Sequence, residues 1–254
     1  IIKFLCGTSH IGIMWLDITE LQDFYSKPLG RMASRVIGQH IREIWPDVNG
    51  MNLLGLGFST PYLNVFLHEA SNIIAAMPAS QGATHWPTEG AGQTIITDEA
   101  ELPIEDISID RVILIHSVEC SETIRPMMRE IWRVLSNNGR LIIIAPNRSG
   151  VWARLERTPF GYGRPYSQSQ LTRLLRDTLF TPIKKSTALY IPPTRSRMLI
   201  SSALAWENIG QHCFSILGLT IGGVISIEAK KQIYAVTPNF NASKRRGYVT
   251  IPNQ

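Results

Sequence analysis

The sequence predicts an α/β fold with a doubly wound, mostly parallel β-sheet. Short apolar segments recur along the chain between turn residues, as expected of buried strands. Segments in which apolar residues follow helical spacing separate several of these runs. Strands that alternate with helices pair in parallel through crossover connections. We therefore expect one sheet that is covered by helices on both faces.

The length and composition predict one packed domain, because 254 residues suit a single α/β unit. Hydrophobic residues make up 44% of the chain and charged residues 18%, which excludes a disordered protein. The cysteines Cys6, Cys120 and Cys213 have no paired spacing. Neither a disulfide framework nor a metal site is therefore predicted, and we expect a cytoplasmic location.

Neither a membrane span nor a nucleic-acid partner is predicted. The apolar stretch 214–227 contains two adjacent glycines and is shorter than the roughly 20 residues of a spanning helix. The net charge of +5 would suit an anionic partner, but the basic residues are spread along the chain. No signal-peptide cleavage site follows residues 1–13, and Met14 is a candidate for the natural start. The oligomeric state cannot be inferred from these patterns.

Two helices are predicted in the N-terminal part of the domain, residues 14–48. Apolar residues recur at helical spacing from Ile18 to Trp45. Pro28, Leu29 and Gly30 interrupt this pattern, so a turn should join the two helices.

The predicted core of the domain, residues 49–146, contains five strands and two helices. The strands are Met51 to Leu56, Asn72 to Met77, Thr94 to Thr97, Arg111 to Ile115 and Arg140 to Ala145. One helix should begin at Thr60, with Pro61 at its first position, and continue to His68. The other should run from Thr123 to Leu135 and stop before the turn sequence Asn137-Asn138-Gly139.

The last part of the predicted domain, residues 147–238, begins with a loop rich in Gly, Pro and Arg. Ser167 is expected to cap a helix from Gln168 to Thr178. Two closing strands, at 184–190 and 224–236, would form a mixed sheet edge. We expect residues 239–254 to form a loose tail.

A glycine-containing segment, Leu53 to Ser59, lies where the first predicted strand turns into the following helix. In open α/β sheets, ligands bind at this end of the strands. Gly55 and Gly57 would let the backbone approach a ligand closely, or they would only form the tight turn. The third glycine of a dinucleotide fingerprint is absent, since Thr60 occupies its place.

Two further segments complete a resemblance to a known family. The first is Asp98 to Asp106, followed by Ser108-Ile109-Asp110 before a strand, and the second is Arg129 to Leu141. In this order the segments resemble the small class I S-adenosylmethionine-dependent methyltransferases, a group that includes the ubiquinone and menaquinone biosynthetic enzymes. The resemblance covers about Asn49 to Pro146 and implies a Rossmann-like methyltransferase fold.

The resemblance implies S-adenosylmethionine as cofactor and a set of residues that would contact it. The implied cofactor-binding residues are Tyr25, Gly55, Gly57, Met77, Asp98, Glu99 and His116. Glycines would face the methionine half, the two acids would lie beside the adenine ring, and the tyrosine ring would stabilise the cationic sulfonium. His116, just after the fourth strand, is also the candidate catalytic base, with Glu119 or Tyr166 as weaker choices.

Two positions depart from the family pattern. Leu53 stands where the family has an acid before the first glycine, and Met77 ends the strand that usually carries the acid for the ribose hydroxyls. The sequence therefore leaves an alternative open, a non-catalytic binding or regulatory protein that keeps the methyltransferase fold. A nucleic-acid methyltransferase would rest on the basic charge alone.

The acceptor of the expected reaction is a small organic molecule. Its pocket would be formed by the N-terminal helices, the loop 146–166 and the segment around 190–206. The aromatic residues Trp15, Phe24, Trp152, Phe160 and Tyr162 make this region apolar.

Overall fold

The computed structural model describes residues 15–194, 196, 202–203, 207 and 222–233. Within these residues the chain forms a seven-stranded sheet in the order β3-β2-β1-β4-β5-β7-β6. Its strands are β1 (Asn52–Gly57), β2 (Asn72–Pro78), β3 (Thr94–Thr97), β4 (Ile109–Ile115), β5 (Leu135–Pro146), β6 (Phe180–Ala188) and β7 (Val224–Lys231). The first five strands pair in parallel, whereas β7 is antiparallel to β5 and β6. The predicted α/β class and the mixed sheet edge are both confirmed.

Five α-helices accompany the sheet in the described part of the chain. They are α1 (Ile18–Ser26), α2 (Pro28–Ile44), α3 (Thr60–Leu63), α4 (Ile124–Val134) and α5 (Gln168–Asp177). The predicted break between α1 and α2 is confirmed, with Pro28 at the first position of α2. Ser167 and Gln170 form a capping box at α5, as the predicted helix start requires.

Alternate residues of each parallel strand enter two separate hydrophobic cores, because successive side chains point to opposite faces of a sheet. Leu53, Met77 and Ile115 pack in the core beneath α1, α2 and α3. Leu54 and Leu114 pack in the other core, against α4 and α5. The helices α1 and α2 therefore cover the face of the sheet on which both departures from the family pattern lie.

One predicted helix boundary was wrong. The helix predicted from Thr60 to His68 ends at Leu63 and continues only as a 3-10 turn, Asn64–Phe66. Asn64 is a weak helix former, and its side chain accepts a hydrogen bond from Trp86 Nε1. The helix predicted from Thr123 to Leu135 is confirmed as Ile124–Val134, with those two residues as its caps, and Leu135 already pairs with Ile109 in the sheet.

The remaining strand predictions differ from the structure mainly in length. Strand β5 starts earlier than predicted, and its ladder with β4 is irregular where the turn residues 136–139 lie. Strand β6 begins at Phe180, before the predicted start, and ends at Ala188. The predicted ends of the chain, 1–13 and 239–254, and the final residues of the last strand lie outside the described residues. No helix in the described ranges is long and apolar enough to span a membrane.

Candidate active site

The carboxyl ends of β2, β1 and β4 lie side by side in the middle of the sheet. Gly57 ends β1 with a φ of 85°, a conformation that side chains rarely adopt. A Cβ at Gly57 would meet the carbonyl oxygen of Ile115, and one at Gly55 would meet the Ser59 side chain. Both glycines are therefore required by the packing of the turn itself, and the space beside them is occupied by protein atoms.

A chain of buried hydrogen bonds connects α1 to this edge of the sheet. The Tyr25 hydroxyl lies 2.7 Å from His116 Nε2 and 2.6 Å from the Tyr62 hydroxyl. Burial raises the pKa of Tyr25 well above its ordinary value, and it raises the pKa of Tyr62 as well. Both phenols therefore keep their protons over the physiological pH range.

His116 follows β4 directly and has an unusual backbone. Its φ is 50°, in the left-handed region, which costs a non-glycine residue about 1–3 kcal/mol. The imidazole packs between Tyr25 and Phe160, with ring centroids 5.9 Å and 5.0 Å away. Such strain is found where the surrounding structure fixes a side chain for function. The structure thus brings together two predicted site residues, Tyr25 and His116, that are far apart in the sequence.

Glu119 lies next to His116 on the side away from Tyr25. Its Oε1 is 3.4 Å from His116 Nδ1, and the residue is only 1% exposed. Neither carboxylate oxygen has a hydrogen-bond partner. The pKa values of Tyr25 and Cys120 are raised mainly by burial, and the charge of Glu119 raises both further.

The two predicted adenine-side acids have different surroundings. Asp98 is exposed and accepts a hydrogen bond from the backbone nitrogen of Ala100 at 2.8 Å. Glu99 is buried and accepts hydrogen bonds from the hydroxyls of Ser121, at 2.5 Å, and Thr123, at 3.1 Å. The exposed carboxylate is open to a ligand, whereas the buried one joins the β3 end to the segment that precedes α4.

Met77 and Leu53 are completely enclosed by the core beneath α1 and α2. The pairing of β1 with β2 places Leu53 opposite Ile73 and Leu56 opposite Ala76. An acid at either position would lose its hydration without gaining a partner in this core. The apolar residues at these positions are therefore consistent with their environment.

Several buried polar side chains at the carboxyl edge lack a hydrogen-bond partner. They are Ser59 after β1, Gln81 after β2, and Ser117 and Glu119 after β4. Native proteins satisfy most such groups, so those that remain require an explanation, such as a bound ligand or water. Each of three adjacent strands is therefore followed by at least one of these groups, and β4 by two.

Sequence reasoning missed three of these groups, Ser59, Gln81 and Ser117, and also Tyr62. Three of the four lie within a few residues of the end of a predicted strand, which was the available signal. Gln81 is buried only because its loop packs against α1, where the Gln81 carbonyl accepts from the Ile18 nitrogen at 2.9 Å. Because that contact joins residues far apart in the chain, the sequence around Gln81 contains no pattern that predicts its burial.

A cavity of about 880 Å³ lies between α1 and the loop that follows β5. Its wall includes Leu16, Phe24, Pro159, Tyr162 and Pro193, together with the charged side chains of Glu20, Asp23, Lys27, Glu156 and Arg157. The Phe24 ring contacts that of Phe160, which in turn packs against His116. The cavity thus lies one aromatic layer away from the carboxyl edge, in the region predicted for the acceptor. In the described ranges, no group of three or more His, Cys, Asp or Glu side chains could hold a metal ion.

The sequence and the fold both match known methyltransferases. Residues 54–143 match the model of a methyltransferase domain family. A search of curated protein sequences finds no significant match. The matched segment contains β1 to β4, α4 and most of β5, and therefore includes the strand ends that carry the buried polar groups.

One similar solved structure is a SAM-dependent methyltransferase of Thermotoga maritima, described as a possible histamine N-methyltransferase. The two chains are 14% identical with a TM-score of 0.59, and the match covers 85% of this chain and 96% of the Thermotoga chain. A second similar structure is a chain of the complex between the Haloferax volcanii Trm112 methyltransferase activator and a methyltransferase. Its TM-score is 0.58 and its identity 14%, and the match covers 84% of this chain and 98% of that chain. A third is the geranyl diphosphate C-methyltransferase of Streptomyces coelicolor, in complex with S-adenosyl-L-homocysteine. Its TM-score is 0.50 and its identity 12%, and the match covers 76% of this chain and 78% of that chain.

The arrangement at the carboxyl edge agrees in part with a bound cofactor. The unpartnered hydroxyl, amide and carboxylate groups suit a ligand that carries hydroxyl and ammonium groups. In contrast, the rings of Tyr25, Phe58 and Tyr62 are buried and pack on one another beside the segment that follows Gly57. The chain has the Rossmann-like fold of the S-adenosylmethionine-dependent methyltransferases, and its methyltransferase-domain match supports S-adenosylmethionine as the cofactor.

Proposed function

We propose that this protein transfers a methyl group from S-adenosylmethionine to a small organic acceptor. The unpartnered polar groups at the ends of β2, β1 and β4 carry the proposal, because they lie in the matched methyltransferase segment and could bind a polar ligand. The cofactor, when bound, supplies a methyl group on a sulfonium that a nucleophile displaces directly. The protein then has to align the reactants and exclude water.

In this proposal, the cofactor contacts are those that the resemblance implies. Asp98 offers an exposed carboxylate to the adenosyl group, and Glu99 is held beside it by its two hydroxyl donors. Met77 provides an apolar wall, and Tyr25 an aromatic face for the cationic sulfonium. At Gly55 and Gly57 the backbone, rather than any side chain, would face the methionine half.

His116 is the proposed base for the acceptor. The Tyr25 phenol keeps its proton, so it can donate to His116 Nε2 when the imidazole is neutral. Nδ1–H then faces Glu119. An acceptor that replaces the Tyr25 hydroxyl at Nε2 would pass its proton to this nitrogen, while Glu119 beside Nδ1–H holds the required tautomer.

The acceptor would reach this site from the cavity beside α1. A volume of about 880 Å³ is sufficient for a small organic molecule. Its walls combine apolar side chains with charges of both signs, so an acceptor with an apolar body and a polar group would fit.

The alternative function is a non-catalytic binding or regulatory protein. The specific observation in its favour is the dense aromatic packing after the glycine turn, where Tyr62 is fully buried and Tyr25 nearly so. Under this alternative, Tyr25 and His116 would stabilise the fold and the cofactor would not bind.

Calorimetric titration with S-adenosylhomocysteine distinguishes the two functions. We expect the wild type to bind, and Asp98→Ala to weaken binding by about 1–3 kcal/mol through loss of a charged acceptor. Asp177→Ala is a matched control, since this acid lies at the end of α5, outside the proposed site. A wild-type protein that does not bind at millimolar ligand would contradict the proposed activity and favour the alternative.

A further inference from the structure

The carboxylate of Glu119 is buried, and within the described chain the basic group near it is the imidazole of His116. It is 1% exposed, and both of its oxygens lack a hydrogen-bond partner. Removing a charged carboxylate from water is strongly unfavourable unless it is paired and hydrogen-bonded. A group placed in this way requires a partner that the protein does not itself supply.

The segments around Glu119 contribute backbone contacts but, in the described residues, no side chain that hydrogen-bonds its carboxylate. The adjacent loop packs closely on its backbone, where Arg164 donates its backbone nitrogen to the Glu119 carbonyl at 2.8 Å. A Cβ at Gly163 would lie 2.5 Å from this same carbonyl oxygen. Within the described ranges, His116 is the basic group that reaches the carboxylate, at 3.4 Å, and no lysine or arginine pairs with it.

Glu99 shows that the fold can satisfy a buried carboxylate at this edge. Glu99 is 7% exposed and accepts hydrogen bonds from two hydroxyls. Ser117, only two residues from Glu119, also has an unpartnered hydroxyl and does not donate to this carboxylate. A donor therefore lies nearby in the sequence, but the conformation does not direct it to Glu119.

The charge of Glu119 favours a cationic partner. His116 Nδ1 faces one of its oxygens at 3.4 Å, and no hydrogen bond reaches the other. A protonated amine would donate charge-assisted hydrogen bonds to this carboxylate and compensate its charge.

We infer that Glu119 is the binding group for a protonated amine of a ligand. This inference rests on the proposed function, because it places the amine in the methyltransferase site. The amine could belong to the methionine half of the cofactor or to the methyl acceptor. The chemistry at Glu119 is the same in both cases.

Glu119→Gln tests the inference, because it removes the charge and keeps the shape of the side chain. Glu43→Gln makes the same change at an exposed position of α2 and is the control. Each protein is titrated with S-adenosylhomocysteine, which carries an ammonium group, and with 5′-methylthioadenosine, which has the same nucleoside and thioether without it. Histamine, added in the presence of S-adenosylhomocysteine, is the probe for an amine acceptor.

If Glu119 binds the cofactor amine, Glu119→Gln should weaken S-adenosylhomocysteine at least tenfold and leave methylthioadenosine unchanged. If it binds an acceptor amine, S-adenosylhomocysteine affinity should be unchanged, and the thermal stabilisation by histamine should be lost. Equal responses of wild type and Glu119→Gln to all three probes would overturn the inference while the proposed function remained. Failure of the wild type to bind either nucleoside would instead contradict the proposed function.

The melting temperature of the ligand-free variant separates binding from folding. We expect Glu119→Gln to melt at or above the wild-type temperature, because a buried unpaired charge is removed. A clear decrease would show that Glu119 stabilises the fold through His116 and would also contradict the inference.

Discussion

Two buried glutamates, one in the closing strand and one at the carboxyl edge, are treated differently by the same fold. Glu228, in β7, is 4% exposed and accepts hydrogen bonds from Arg140 Nη1, at 3.0 Å, and Trp45 Nε1, at 3.1 Å. Glu119, after β4, is equally buried and accepts none. The comparison indicates that the fold pairs its buried charges where they only support the sheet. At the carboxyl edge it leaves Glu119 without a hydrogen-bond donor, although it satisfies Glu99 with two hydroxyls.

The largest expected effect concerns the paired glutamate. Glu228→Ala should reduce the free energy of unfolding by about 2–3 kcal/mol, because two donors lose a charged acceptor and Trp45 Nε1 stays buried. Arg140 is half-exposed, so water can replace part of its contact. Urea unfolding measures the loss. A loss as large for Glu119→Gln as for Glu228→Ala would contradict the difference between the two regions.

A smaller effect is expected for the hydrogen-bonded chain at the carboxyl edge. Tyr25→Phe removes the hydroxyl that joins His116 and Tyr62 and leaves both buried groups without it. We expect stability to fall by about 1–2 kcal/mol. Any bound S-adenosylhomocysteine should be retained, because the aromatic ring remains. Thermal melts of both proteins, with and without ligand, check this. An unchanged stability would show that these hydrogen bonds contribute nothing to holding α1.

The smallest effect concerns a buried histidine away from the carboxyl edge. His40, in α2, donates or accepts through Nε2 with Ser186, and its Nδ1 has no partner. Burial lowers the pKa of His40, so the unfolded chain binds a proton more readily than the folded one. Stability should therefore fall as the pH decreases below about 6.5, by at most about 1.4 kcal/mol per pH unit.

Comparison with His40→Gln isolates this contribution from that of the other acid-titrating groups. The variant should lose less stability than the wild type between pH 7.5 and 5.5, in urea unfolding at each pH. Identical pH profiles would show that His40 does not titrate differently on folding. His40 also refines the comparison, since an unpartnered nitrogen on a neutral ring is tolerated more easily than an unpaired carboxylate.

Much of the sheet could be predicted from sequence because its central strands are continuous apolar runs bounded by turns. β1, β2 and β3 lie within one residue of their predicted bounds. The early start of β5 could not be predicted, since it depends on the pairing of Leu135 with Ile109 and on a bond from Lys231 Nζ to the Leu135 carbonyl. Such contacts between distant segments override local turn signals.

The candidate site was predictable where a residue directly follows a strand, as His116 does. The contact between His116 and Tyr25 could not be derived from spacing, because it depends on how α1 packs across the sheet. Gln81 was missed for the same reason. Burial of polar groups without partners is a property of the folded chain, and no local sequence pattern records it.

The location of a bound nucleoside tests the central claim most directly. A crystal structure grown with S-adenosylhomocysteine should show it at the carboxyl ends of β2, β1 and β4, with polar atoms on at least two of Ser59, Gln81, Ser117 and Glu119, and with Tyr25 displaced from Phe58. Binding elsewhere, for example only in the cavity beside α1, with those four side chains still unpartnered, would contradict the claim.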